Sequence, residues 1–104
     1  MQNFSIQIDI DALKDIQDSI KWYNSQLDGL GLRFSKQVIL QINSLKKNPH
    51  RFSLRYADIR CMLIKKFPFL VHFTIDYTKH IIQAYAVFHT SRNPTIWTKR
   101  LYKV

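Results

Sequence analysis

The sequence predicts a single α+β domain over residues 1–104, in which an N-terminal strand, an antiparallel helical hairpin, an antiparallel sheet and a short C-terminal helix follow one another. Three observations lead to this prediction. Apolar residues recur with helical spacing in the first half of the chain, they alternate with strand spacing in the second half, and turn-forming residues separate the segments. We expect the hairpin to pack on one face of the sheet, because each element has an apolar side to bury.

The first two elements are a strand and a helix. Residues 4–8 alternate apolar and polar side chains, which is typical of a half-buried strand. Asp9 or Asp11 then caps the first helix. The apolar face of this helix, spaced by three and four residues, consists of Leu13, Ile16, Ile20, Tyr23 and Leu27.

A second helix begins near Leu32, after the Asp-Gly-Leu-Gly run at 28–31, and ends at Asn48-Pro49. So short a turn predicts that the two helices pair antiparallel. The apolar face of the second helix consists of Phe34, Val38, Ile42 and Leu45. The large apolar residues that lie off both faces, and either pack between the helices or mark a partner surface, are Trp22, Leu32 and Leu40.

Strands are predicted over residues 52–54, 59–64, 69–75 and 81–89, with a hairpin turn at 77–80. In the last hairpin we pair residue 75 with 82, 73 with 84 and 71 with 86, since a shift by one residue would mix the two faces. The helix-covered face then holds Phe69, Val71, Phe73, Ile75, Ile82, Ala84, Ala86 and Phe88. The opposite face holds His72, Thr74, Gln83, Tyr85, His89, Leu70 and Val87.

The strand at 59–64 is assigned by the same alternation. Ile59, Cys61 and Leu63 suit the helix-covered face. Arg60 and Met62 then project beside His72 and Tyr85. We therefore expect the opposite face to be half open, basic and polar.

Charge is the first indication of function. Sixteen basic residues face seven acidic ones, all aspartate, for a net charge of +9. Residues 1–31 carry two lysines and five aspartates, whereas residues 32–104 carry fourteen basic residues and two aspartates. Such a basic domain favours nucleic acid, an acidic protein or an anionic membrane surface as partner, with solubility alone as the alternative.

Several classes are disfavoured. The longest apolar run spans five residues, 67–71, so we expect no membrane span, and no signal peptide is visible. The lone Cys61 excludes an internal disulfide and fits a reducing compartment, hence the cytoplasm. Four histidines without close spacing or neighbouring cysteine make no metal site, and no cofactor is expected.

The C-terminal segment 89–100 carries the most distinctive pattern. Asn93 is placed as a helix N-cap and Pro94 at the first helical position, with Trp97 and Arg100 on one side of a short helix. Together with features along the rest of the chain, this segment resembles the RelE/ParE superfamily of toxin–antitoxin toxins, and within it the ParE-like branch of plasmid-stabilisation proteins. The other matching features are Trp22-Tyr23, Gly29-Leu30-Gly31, Phe34, Asn48-Pro49, Arg60 and Phe67-Pro68-Phe69.

The resemblance implies a type II toxin that a co-expressed, usually acidic antitoxin neutralises. ParE-like toxins inhibit DNA gyrase, and RelE-like toxins cut mRNA in the ribosome. We expect gyrase to be the target, with a ribosome-dependent mRNA endonuclease as the alternative and a non-toxic, partner-binding member of the fold as a further one. Oligomers through the antitoxin stay open.

A nuclease of this kind would work without metal, and its candidate residues follow from their chemistry. His89 is the base or acid, Arg60 and Arg92 clamp phosphate, and Tyr85 stacks on a base or donates a proton. The chain has no glutamate and ends without the His/Tyr-bearing tail of the nuclease members, so whether it is an enzyme stays open. Partner binding is assigned to Met62, His72, Tyr85, Trp97 and Arg100.

Structural roles are the alternative for most of these residues. His89 at a strand end would hydrogen-bond to the backbone. Arg92 and Arg100 would fix the tail to the sheet, with Trp97 stacked by cation–π contact. His72 would be a spacer on the sheet face.

Overall fold

The computed structural model describes residues 4–101 and confirms the predicted α+β order. None of its helices is both long enough and apolar enough to cross a membrane within that range. The elements are β1 (Ser5–Ile8), α1 (Ile10–Gln26), α2 (Leu30–Ser44), a 3₁₀ turn (Pro49–Arg51), β2 (Leu54–Tyr56), β3 (Ile59–Leu63), β4 (Phe69–Asp76), β5 (Ile81–His89) and α3 (Thr95–Leu101).

The five strands form one sheet in the order β1-β5-β4-β3-β2. Neighbours are antiparallel except β1, which runs parallel to β5 and pairs with it from Ser5↔Ile81 to Ile8↔Ala84. The helical hairpin connects β1, at one edge of the sheet, to the segment that leads into β2 at the other edge. Because β1 is four residues and β5 is nine, no strand of residues 4–101 lies beside the outer edge of β5 past Ala84.

The helical hairpin covers one face of the sheet, as predicted. The four predicted residues of the α2 face are all buried, whereas Leu13 and Leu27 at the ends of the predicted α1 face are 39% and 59% exposed, which corrects their assignment. The helices approach closely at Gly31, where a Cβ would lie 2.5 Å from the carbonyl oxygen of Ile20. The residues predicted to lie off both faces are exposed rather than packed between the helices: Trp22, Leu32 and Leu40.

The first helix lacks the predicted side-chain capping bond, and the second begins earlier than predicted. Asp9 occupies the N-cap of α1, but its carboxylate makes no capping bond and instead accepts a hydrogen bond from Nε2 of Gln83. The first helix is thereby tied to the sheet. The second helix begins at Leu30 rather than Leu32, since Gly29 adopts the left-handed conformation (φ 85°) that turns the chain between the helices.

A β-bulge in β5 changes the faces of the sheet. The predicted pairs Ile75↔Ile82 and Phe73↔Ala84 are confirmed, but Val71 pairs with Val87 rather than with residue 86. Tyr85 is the extra residue, and such an insertion shifts the alternation beyond it. Past the bulge, Val87 therefore packs in the hairpin-side core, and the residues predicted there, Ala86 and Phe88, pack on the opposite face.

Strand β3 has the inverse of its predicted orientation. Met62 is 1% exposed in the hairpin-side core, so it does not lie on an open face. Ile59 packs on the opposite face, where Cys61 Sγ lies 3.4 Å from Nδ1 of His72, and Leu63 is 59% exposed. Alternation misled here because apolar side chains occupy both phases of residues 59–64, as expected of a strand covered on both sides.

The opposite face is also closed, contrary to the expectation of a half-open polar surface. Helix α3 lies over it, and Trp97 stacks on Tyr56 with ring centroids 5.4 Å apart. Beneath the helix His72 is completely buried and Tyr85 is 7% exposed. The residues of α3 that pack on this second core are Ile96, Trp97 and Leu101.

Candidate functional site

Helix α3 is held by a cap at its start and an ion pair at its end. Oδ1 of Asn93 accepts a hydrogen bond from the backbone N–H of Thr95 at 3.0 Å, which confirms the predicted cap. Arg100 binds Asp15 of α1 through two hydrogen bonds of 3.0 Å, and this contact raises the pKa of Arg100. Arg100 thus fixes the tail to the sheet, as the structural alternative proposed, and also to α1. The ring beside its guanidinium is Phe88 rather than Trp97.

The same ion pair completes the free edge of β5. Val87 donates its backbone N–H to Oδ2 of Asp15 at 2.9 Å, and Arg100 donates to the carbonyl oxygen of Tyr85 at 3.2 Å. The guanidinium also lies 4.8 Å from the ring centroid of Phe88. Two side chains therefore satisfy backbone groups that β1 is too short to reach.

Under α3 lies a polar cluster in which His72 and Tyr85 are buried and Tyr56 and Cys61 are half-buried. The Tyr56 hydroxyl lies 2.9 Å from Nδ1 of His72 and 2.7 Å from the Tyr85 hydroxyl. Burial lowers the pKa of His72 to about 4, helped by the charges of Arg55 and Arg100. His72 is therefore neutral near pH 7.

The rest of this cluster is kept protonated by its surroundings. Burial raises the pKa of Cys61 to about 11, and burial with the hydrogen bond to Tyr56 raises the pKa of Tyr85. A neutral thiol and buried phenols are poor groups for proton transfer near pH 7. His72 and Tyr85, both predicted on an accessible face, lie where no partner reaches them while α3 is seated.

Beside α3 runs a groove of about 790 Å³, here called the α3 groove. Its lining is basic and apolar, and Leu63 is 59% exposed in it. Arg55 lies 5.7 Å from the Trp97 ring centroid. The groove is lined by Arg55, Leu63, Leu70, Thr90, Ser91, Arg92, Asn93, Pro94 and Trp97.

His89 faces a different cavity. Its Nδ1 accepts a hydrogen bond from the backbone N–H of Ser91 at 3.0 Å and lies 2.8 Å from the Ser91 hydroxyl, which confirms the predicted backbone contact. Its ring packs edge-on to Phe69 at 5.1 Å. It lines a pocket of about 260 Å³ with Asp18, Ser19, Trp22, Phe69 and Ser91, here called the α1 pocket.

The residues proposed for a nuclease do not share one cavity. Arg92 lines the α3 groove and lies 5.5 Å from the Phe88 ring centroid, whereas His89 lines the α1 pocket. Arg60 donates through Nη1 to the carbonyl oxygens of Phe52 and His50, so it supports the segment before β2. His89 and Arg92 thus flank one turn as a base and a cation, while Arg60 is engaged elsewhere and does not complete a phosphate clamp with them.

Sequence reasoning missed Arg55, Tyr56 and Asp15. Tyr56 was missed because the strand was placed two residues early, at 52–54, and because a register shift between Leu54 and Tyr56 interrupts the alternation. No spacing within the sequence links Asp15 to Arg100, 85 residues away. Within residues 4–101, no group of three or more histidine, cysteine and acidic side chains is arranged to hold a metal ion.

Known proteins provide a structural match but no sequence match. No family model matches the chain, and no curated protein matches it in sequence. It is similar to a structure of the chromosomal ParDE TA system from P. aeruginosa, with a TM-score of 0.74 and 15% identity over 85% of this chain and 97% of that one.

Two E. coli structures are also similar. The intact RelBE toxin–antitoxin complex aligns with a TM-score of 0.65 and 15% identity over 86% of this chain and 99% of that one. The isolated RelE toxin aligns with a TM-score of 0.64 and 16% identity over 94% and 98%.

The architecture thus defines an α+β class in which a helical hairpin covers one face of a mostly antiparallel sheet. That class is the RelE/ParE toxin fold, and the chain has this fold. The resemblance inferred from the sequence is confirmed at the level of structure.

Proposed function

We propose that the chain is the toxin of a toxin–antitoxin module and that an acidic antitoxin neutralises it. The observation that carries this proposal is the alignment with a ParDE system structure over 97% of that chain. The alignment includes most of this chain as well, so the likeness concerns the whole domain rather than one motif. We also propose that it acts in the cytoplasm and needs no cofactor.

The α3 groove is the proposed seat of the antitoxin. Arg55 and Arg92 provide positive charge, and the exposed Leu63 offers apolar surface between them. An acidic segment with apolar side chains complements this lining, and it would gain order as it binds. His72 and Tyr85, assigned to partner binding from the sequence, lie beneath α3 and would support Trp97 in the groove wall. Met62, assigned with them, packs in the hairpin-side core on the other face of the sheet.

DNA gyrase is the proposed target, and the ribosome-dependent mRNA endonuclease is the second candidate. Inhibition through protein contacts requires no catalytic constellation. The separation of Arg60, His89 and Arg92, and the burial of Tyr85, favour this mode of action. A non-toxic member of the fold that only binds a partner is the third candidate.

Induction in a heterologous bacterium tests the target. Plasmid supercoiling and the rate of translation are measured after induction of the wild type, His89→Ala and Arg60→Ala. A gyrase inhibitor alters supercoiling first, and folded His89→Ala stays toxic because the toxin transfers no proton. A nuclease halts translation first and loses activity in His89→Ala by roughly 10²–10⁴-fold. A chain that alters neither process is the non-toxic member.

Antitoxin binding is tested separately. The chain is co-purified with the product of the adjacent gene at low and high salt. Co-elution at low salt, with association slowed at high salt, is the expected result because opposite fields steer the encounter. Separate elution at low salt would contradict the toxin–antitoxin proposal whatever the target.

A further inference from the structure

We propose that the α1 pocket binds an arginine side chain of a partner protein. The pocket lies between α1 and the end of β5, and its volume of about 260 Å³ suits a single side chain. The inference rests on the proposed function only in taking a protein as the partner. The recognition chemistry follows from the pocket itself.

Asp18 and Trp22 give the pocket a carboxylate beside an aromatic surface. They lie four residues apart on α1, so they share one face of the helix. Trp22 is 59% exposed. Lys14 and Lys21 lie one turn to either side of Asp18, yet within residues 4–101 the Asp18 carboxylate forms no hydrogen bond or salt bridge.

This pair favours a planar cation. A guanidinium donates two parallel hydrogen bonds to a carboxylate and at the same time stacks on an indole, whereas an ammonium acts as a point charge. Asp18 would accept the fork, and Trp22 would provide the stacking surface. Arginine therefore fits this site better than lysine.

The Ser19 and His89 side chains of the pocket already form hydrogen bonds within the protein. The Ser19 hydroxyl donates to the carbonyl oxygen of Asp15 at 2.9 Å, so its oxygen is left as an acceptor. Nδ1 of His89 accepts from the backbone N–H of Ser91, so this ring nitrogen offers the pocket no further group. Asp18 is left as the carboxylate that a cation would meet.

Continuity with the α3 groove explains why a partner protein would supply the arginine. Ser91 lines both cavities, so a segment leaving the groove across the turn at 89–92 reaches the pocket. Residues 1–31 carry a net charge of −3, whereas the rest of the chain is strongly basic. One arginine in a mostly acidic partner would match this distribution and fix the orientation of the complex.

Titration of the full chain with N-acetyl-arginine amide tests the site, followed by the two indole N–H signals in proton–nitrogen NMR spectra. Trp22→Phe assigns the signals. We expect the Trp22 signal to move saturably while the Trp97 signal stays in place. Asp18→Asn should weaken binding about three- to fivefold, as for a solvent-exposed ion pair. The matched control Asp28→Asn removes the same charge from the exposed turn between the helices and should leave binding unchanged.

Three results would overturn the inference. They are a Trp22 signal that does not saturate, equal weakening in Asp18→Asn and Asp28→Asn, and equal binding of N-acetyl-lysine amide. Toxicity and antitoxin capture do not enter this measurement. A harmless chain that binds the arginine probe would thus overturn the proposed function and leave the pocket standing.

Discussion

Acidification should weaken the fold through His72, which α3 buries completely. The unfolded chain takes up a proton on this ring near pH 6.5, whereas burial lowers the pKa in the folded protein to about 4. The folded state thus excludes a proton that the unfolded state binds. The stability that His72 contributes is present above pH 6.5 and is lost as the pH falls to about 4.

The size of the loss follows from these two pKa values. One pKa unit corresponds to ~1.4 kcal/mol, so the free energy of unfolding should fall by about 2.5 kcal/mol between about pH 7 and about pH 4.5 from this residue alone. Urea denaturation at both pH values measures the total. His72→Asn isolates the share of His72, because the Asn amide can donate to or accept from the Tyr56 hydroxyl, as a neutral imidazole does, but does not titrate.

The variant is less stable at every pH, since Asn fills less of the space under Trp97. Its loss on acidification, however, should be smaller than that of the wild type by about 2.5 kcal/mol. His50→Asn is the matched control: it removes an exposed histidine in the 3₁₀ turn and leaves His72 in place, so the wild-type loss should persist. Equal acid losses in the wild type and His72→Asn would refute the reasoning.

Three further predictions concern the core and the tail. Phe73→Ala should lower the free energy of unfolding by roughly 3–5 kcal/mol, and Thr74→Ala, the adjacent partly exposed position, by less than ~1 kcal/mol; equal losses in denaturation would contradict the assigned faces. Arg100→Gln should cost about 1–3 kcal/mol because the Asp15 carboxylate loses its cation, and Asp15→Asn in the same background should cost little more, which a double-mutant cycle measures. Removing residues 98–104 should abolish toxicity; a truncated chain that circular dichroism shows to be folded and that still kills would contradict a role of the tail in target binding.

The helical half of the fold could be predicted because its signal is local. Phe34, Val38 and Ile42 repeat at the helical period on a helix with one buried side, so period and burial agree. The hairpin of β4 and β5 was correct up to Phe73↔Ala84 for the same reason. The inserted Tyr85 has no local signature, since apolar side chains continue on both faces beyond it.

The candidate site was harder to predict because it depends on what covers the sheet. His72 and Tyr85 were placed on the correct face, but nothing in strand alternation shows that Trp97 would bury them. His89 and Arg92 are close in sequence, yet the turn between them directs them into separate cavities. The sequence thus indicated which segments form the site, but not which side chains share a cavity or are buried.

The Asp15–Arg100 ion pair has a consequence for how the protein behaves in a crowded cell. An uncovered strand edge is a template on which another chain can add a strand, which leads to aggregation. Here the unpaired stretch of the β5 edge is occupied by a carboxylate and a guanidinium instead of a neighbouring strand. Because the guanidinium comes from α3, a nascent chain lacks this protection until Arg100 has been synthesised and α3 has docked. The covering of this edge is therefore complete only when α1 and α3 are both in place.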